Sequence, residues 1–190
     1  MAINLNSGIQ RTCKNSIGGV SKLYIFPYEY AKQSEITHTD FVLTSFPVTT
    51  NVYEFNTSNE PIMQVEQQED ERGKFYRQSI SLEFAKIDVA NEFMKFLRQD
   101  LRCIVKDRNG LNWLLGAYNG LYCDKLEQVV GTEKNSFNGY KMTLQGEELN
   151  EPFYLTDEYI DENLLTNYLL AQNKDFLLWQ NNDNIITQNG

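Results

Sequence analysis

The sequence predicts a mainly β, α+β fold: an antiparallel β-sandwich or barrel with one helix and a C-terminal repeat extension. Three observations carry this. Apolar segments are short and are punctuated by Asn, Gly and Pro. Two Asn-Gly pairs, Asn109-Gly110 and Asn119-Gly120, sit between apolar runs, and Asn-Gly supplies the positive φ that tight hairpins need. One stretch alone has a clear helical period. Leu23 to Phe26 reads as a first strand ended by Pro27, and Phe41 to Phe46 as a second ended by Pro47. Asn51 to Phe55 is a third. Pro61 to Gln68 and Lys74 to Phe84 flank the charged turn Glu69-Asp70-Glu71-Arg72-Gly73 and read as a long hairpin of open register. Asp88 is placed to cap a helix running to about Asp100, with Val89, Phe93, Phe96 and Leu97 on one face. Leu101 to Lys106, Leu111 to Tyr118, Leu121 to Val130 and Phe137 to Gln145 complete the strands. The division expected is an N-terminal arm (1–14), a β-rich core domain (15–150) and a C-terminal extension (151–190).

The 190 residues carry 17 basic and 26 acidic side chains, a formal net charge of −9, with 41% hydrophobic residues. A core can be buried, and the acidic balance disfavours general binding to phosphate backbones. The longest strongly apolar stretch, Trp113 to Tyr118, is far short of the ~20 residues that span a bilayer, so no membrane insertion is expected. Arg11, the first cation, is not followed by an apolar run, and no signal peptide is expected. Cys13, Cys103 and Cys123 lack metal-ligand spacing and read as reduced thiols. The single histidine, His38, lies in a polar loop with no nucleophile signature elsewhere in the chain. Ser16 to Lys22 lacks the spacing of a phosphate loop, and Gln68 to Glu71 lacks the alternating ligands of a calcium loop. No catalytic residue, metal or cofactor is expected.

The candidate contacts are instead apolar. The arm Met1 to Gly19 is polar with isolated aliphatics Ile3, Leu5 and Ile9, and is expected to order only against a neighbouring chain. Tyr24, Phe26, Tyr28 and Tyr30 alternate, which in a strand places them on one face. Tyr28 and Tyr30, beyond Pro27, are interface candidates because Tyr offers area with a polar tip. Near the C-terminus an eight-residue unit repeats: two aliphatics, one variable residue, Gln-Asn and a polar turn. Leu169, Leu170, Phe176, Leu177, Leu178, Trp179, Ile185 and Ile186 supply its apolar positions. Thr156 to Gly190 holds six acids and Lys174 as its sole cation. This segment is expected to dock on another chain, with Trp179 as anchor.

Gly18 to Pro27, Asn135 to Glu148 and the aliphatic-Gln-Asn repeat together resemble virion proteins of tailed bacteriophages. The likeness is to tail-tube and neck-ring type components of the crAss-like group. That resemblance implies a tail-tube-like fold and a structural, non-enzymatic role in the virion of a phage whose proteins are made in the bacterial cytoplasm. It implies assembly into a ring or tube in the tail or neck, six- or twelve-fold, with copies of itself and other virion tail or neck proteins as partners. It implies no sequence-specific nucleic-acid contact. The competing expectation is a carbohydrate- or host-surface-binding β module that stacks its aromatics on sugars.

Overall fold

The structure of this chain is a computed structural model. It describes residues 18–47, 52–55, 57, 61–71, 73–85, 94–95, 97–131, 136–164, 180–181 and 184–185, the last four through their backbone alone. Two open sheets are stacked as a sandwich. The larger has seven strands in the order β2-β3-β11-β8-β7-β1-β4. They are β1 (Val20–Pro27), β2 (Thr37–Thr39), β3 (Val42–Ser45), β4 (Tyr53–Glu54), β7 (Leu101–Asp107), β8 (Asn112–Leu115) and β11 (Phe153–Leu155). The smaller sheet, order β5-β6-β10-β9, comprises β5 (Ile62–Asp70), β6 (Gly73–Ala85), β9 (Tyr122–Val129) and β10 (Gly139–Glu148). Every pairing is antiparallel except β11 on β3. Near the C-terminus β12 (Gln180–Asn181) pairs with β13 (Asn184–Ile185), within the repeat region.

Period-2 geometry explains which residues are inside. In β1, Leu23 and Ile25 point to the smaller sheet, while Tyr24 and Phe26 point the other way; all four are buried. Both faces of the larger sheet are therefore covered at its centre, which is why β1 carries the unbroken apolar run Leu23 to Phe26 and β7 is buried continuously from Leu101 to Val105, Arg102 included. In the smaller sheet Ile80, Leu82, Phe84, Met142 and Leu144 face the shared core. Ser81, Glu83, Lys141 and Thr143 alternate outward, so one face only is apolar. The β5–β6 register left open by the sequence runs from Ile62 opposite Ser81 to Asp70 opposite Gly73. Leu101 and Leu121 exchange two backbone hydrogen bonds of 2.7 Å where the chain passes from one sheet to the other.

The outer face of the larger sheet is closed by a third layer. It consists of the chain around Ala31 and Ile36 and of helix α1 (Asp157–Asn163), packed with Leu43 of β3 and with Phe46 and Val52. The side chain of Thr156 caps α1 by accepting a bond from Tyr159 N. Asn112 on β8 donates Nδ2 to both Leu155 O (3.1 Å) and Asp157 Oδ1 (2.8 Å), and Lys106 Nζ pairs with Asp157 at 2.7 Å. Ile160 and Leu164 are thereby pressed onto the sheet. Packing thus continues past residue 150 to Leu164, through β11 and α1, neither of which has a distinctive sequence pattern. β8 ends at Leu115 instead of running on to Tyr118, because Gly116, at φ 70°, turns the chain. Most of the helix expected over residues 88–99 lies outside the described residues. Met94 and Lys95 are helical, and Leu97 is buried in the shared core.

Candidate assembly surfaces

A cluster of buried polar side chains surrounds the crossing Gly116 to Gly120, which joins β8 to β9. Four side chains from different strands and loops hold it. Arg102, 1% exposed, donates Nε to Gly116 O (3.3 Å) and Nη2 to Ala117 O (2.9 Å). Its guanidinium lies 4.5 Å from the ring centres of both Tyr28 and Phe46. Glu148 accepts from the amides of Tyr118 (3.0 Å) and Asn119 (2.9 Å). Gln78 accepts from Gly116 N at 3.0 Å and donates to Asn150 O at 3.2 Å. The hydroxyl of Tyr28 donates to Tyr118 O. A cation thus holds the carbonyls and a carboxylate holds the amides of one loop. Burial brings Arg102 down to about 10, so it stays charged at neutral pH. Burial pushes the Glu148 carboxyl up against the opposing pull of the loop amides and Arg102. The spacing of these residues in sequence carries no signal of the cluster. The hairpin expected at Asn119-Gly120 is not formed: Gly120, at φ 78°, carries the chain from β8 in the larger sheet to β9 in the smaller one, and the two strands do not pair.

The structure separates the two tyrosine candidates. Tyr28 is half-buried in that cluster, whereas Tyr30 is 80% exposed. Ile3, Leu5 and Ile9 lie outside the described residues. So do Leu169, Leu170, Phe176, Leu177, Leu178, Trp179 and Ile186, and Ile185 is described through its backbone alone. His38 is on exposed β2, its ring 4.8 Å from that of Phe153. Cys103 is buried in the core and its thiol is pushed well up by burial, which suppresses thiolate chemistry. Among the described residues no group of three His, Cys, Asp or Glu side chains converges to hold a metal. No helix among them is long and apolar enough to cross a membrane.

Two further surfaces stand out. The first is the outward face of the smaller sheet, mostly Ser, Thr, Gln and charged residues, with Ile62, Phe75 and Tyr122 among them. Its three cations are each matched by a carboxylate: Arg77 with Glu147 (3.0 Å), Lys125 with Glu127 (2.9 Å) and Lys141 with Glu83 (2.5 Å). The second is a shelf where the seven-stranded sheet extends beyond the four-stranded one. A single register row links Leu23, Val105, Trp113, Tyr154 and Val42. Leu23 and Val105 are buried, Trp113 and Tyr154 half-buried and Val42 exposed, so the row passes out from under the smaller sheet. The rings of Trp113 and Tyr154 lie 4.1 Å apart. No family model, no curated protein and no solved structure matches this chain.

Proposed function

We propose that this chain is a structural subunit of a tailed-phage virion, forming a ring or tube in the tail or neck through which DNA passes. The observation that carries this reading is the outward face of the four-stranded sheet. A surface that holds nucleic acid presents unpaired Lys and Arg to phosphates. Here each of the three cations among the described residues is neutralised by a neighbouring carboxylate, and Ser79, Ser81, Thr143 and Gln145 lie between them, with Ile62, Phe75 and Tyr122 towards the margins. Such a wall is hydrophilic without gripping a sliding polyanion.

The strand order adds support. Among the described residues β5 and β9 are unpaired on their outer sides, and in an even-numbered antiparallel sheet the two edges run in opposite directions. Two different open surfaces favour a heterologous, head-to-tail contact, and a rotation that closes makes a ring. The second reading, a carbohydrate- or host-surface-binding module, has the Trp113–Tyr154 pair as its supporting observation. Native mass spectrometry with electron microscopy of the purified protein separates the two. Closed assemblies of six or twelve copies support the ring. A species that stays monomeric at every concentration and binds glycans overturns it.

A further inference from the structure

We infer that the shelf beside β5 is the receiving site for the N-terminal arm of a second copy of this chain, added as a strand to the edge of the smaller sheet. The inference rests on the reading of the chain as a self-assembling subunit, and it names the contact.

The receiving side is built. β5 pairs with β6 alone among the described residues, so alternate backbone N–H and C=O groups face away from the sheet. Ile62 is 62% exposed on that strand. Met63, together with Trp113, lines a groove of about 370 Å³ between β5 and the larger sheet. Tyr154 extends the floor of that groove. An edge with open hydrogen-bonding groups beside a half-buried aromatic pair invites an extended segment with one apolar face.

The arm has that pattern. Ile3, Leu5 and Ile9 all fall on odd positions, and Asn4, Asn6 and Gln10 on even ones. In a strand the three aliphatics share a face. Laid along β5, they continue the inward row of Met63 and Val65, and the amides continue the outward row of Gln64 and Glu66. Charge selects the arm over the C-terminal segment. Residues 1–19 carry Arg11 and Lys14 and no acid, whereas residues 156–190 carry six acids and one lysine. The lining of the groove includes one acid, Asp107, and no Lys or Arg.

Reach selects a second copy. The described chain starts at Gly18, and Gly19 lines the end of the groove beside Pro61 and Ile62. A strand rises about 3.4 Å per residue, so the nine residues from Gly18 back to Ile9 span about 30 Å. β5 is itself nine residues long. An arm extended along its own β5 would therefore carry Ile9 to the far end of the strand, and Leu5 and Ile3 beyond it. The aliphatic trio reaches Met63 and Trp113 only in the groove of another copy.

The test uses the full chain with the photoreactive residue p-benzoylphenylalanine at position 5, prepared in ordinary and ¹⁵N-labelled forms, mixed and irradiated. The expected product is a mixed-isotope covalent dimer or ladder, with the junction in the peptides that contain Met63, Trp113 or Tyr154. Junctions within one copy, or in the C-terminal segment, or on β9 overturn the inference. In parallel, Ile3→Asp with Leu5→Asp should leave the melting curve in place and abolish the assembled fraction. In a Trp179→Phe background it should also shift Trp113 emission to the red. Unchanged assembly overturns the inference. Native mass separates the two failures. Closed rings with a junction elsewhere remove the docking contact alone, whereas monomers throughout remove the ring reading and the contact with it.

Discussion

Arg102→Met is the most informative single change in the core. Methionine roughly keeps the volume and apolar stem of arginine while removing the charge and every donor. Three things are lost together. The carbonyls of Gly116 and Ala117 lose their donors, Tyr28 and Phe46 lose the cation between their rings, and Glu148 loses the opposing charge across the loop. Removing one member of a buried, hydrogen-bonded charge set costs about 3–5 kcal/mol. That is a large share of the ~5–15 kcal/mol that holds a domain together. For a chain of this size it lowers Tm by roughly 6–20 °C. Urea unfolding followed by circular dichroism gives the loss directly, and Arg102→Met combined with Glu148→Gln gives the coupling. The double variant should cost clearly less than the sum, because both side chains hold the same crossing. A loss below about 1 kcal/mol, or strict additivity, would show that the crossing stands without its cation, and the account of the cluster would fail.

Three further outcomes are expected. The raised carboxyl of Glu148 contributes stability that is complete below the ordinary carboxylate value and is lost as pH rises through its folded value. The stability of the parent relative to Glu148→Gln should therefore fall with rising pH in that window, and a difference that is flat or rises would contradict the burial effect. Gly139→Ala would place a methyl 1.9 Å from Phe84 O, on the paired strand, so β6 and β10 must separate there. A loss of ~1–3 kcal/mol is expected in a chemical melt, and an unchanged midpoint would place that ladder wrongly. Asp40 and Phe41 both have positive φ, 55° and 79°, in the two-residue turn between β2 and β3, where Phe is a costly choice. Phe41→Gly should raise stability by about 1 kcal/mol, and a loss would mean that the half-exposed ring is held by packing.

What was legible in the sequence followed from turn residues placed between apolar segments. The β5–β6 hairpin around its charged turn, the β7–β8 turn at Asn109-Gly110 and the β9–β10 pair around a polar loop are each present. β2, β11 and α1 were not legible for a common reason. Thr37–Thr39 is exposed along its whole length, so it has no apolar period to read. Phe153–Leu155 is three residues long and is fixed by its neighbours on both sides. Among α1's own residues Ile160 alone is buried, and the helix is held from outside by Asn112 and Lys106. The Arg102 cluster was invisible because Gln78, Arg102, Gly116 and Glu148 meet only after four separate chain segments have folded.

The unequal size of the two sheets explains where the unsatisfied surface lies. The central strands of the seven-stranded sheet are buried on both sides, by the smaller sheet and by the layer that contains α1. The four-stranded sheet covers fewer strands than it would need to, and it leaves Trp113, Tyr154 and Val42 projecting beyond its edge at β5. A lone domain could have closed this gap by one more strand on that edge. The chain has a segment of suitable alternation at its N-terminus, which a second copy supplies in the proposed contact. A strand missing from one copy and supplied by the next links folding to assembly, since the fifth strand and the contact between subunits are then the same hydrogen bonds. On that basis arm variants should change assembly far more than they change the stability of a single copy, which the paired melting and native-mass measurements on Ile3→Asp with Leu5→Asp determine directly.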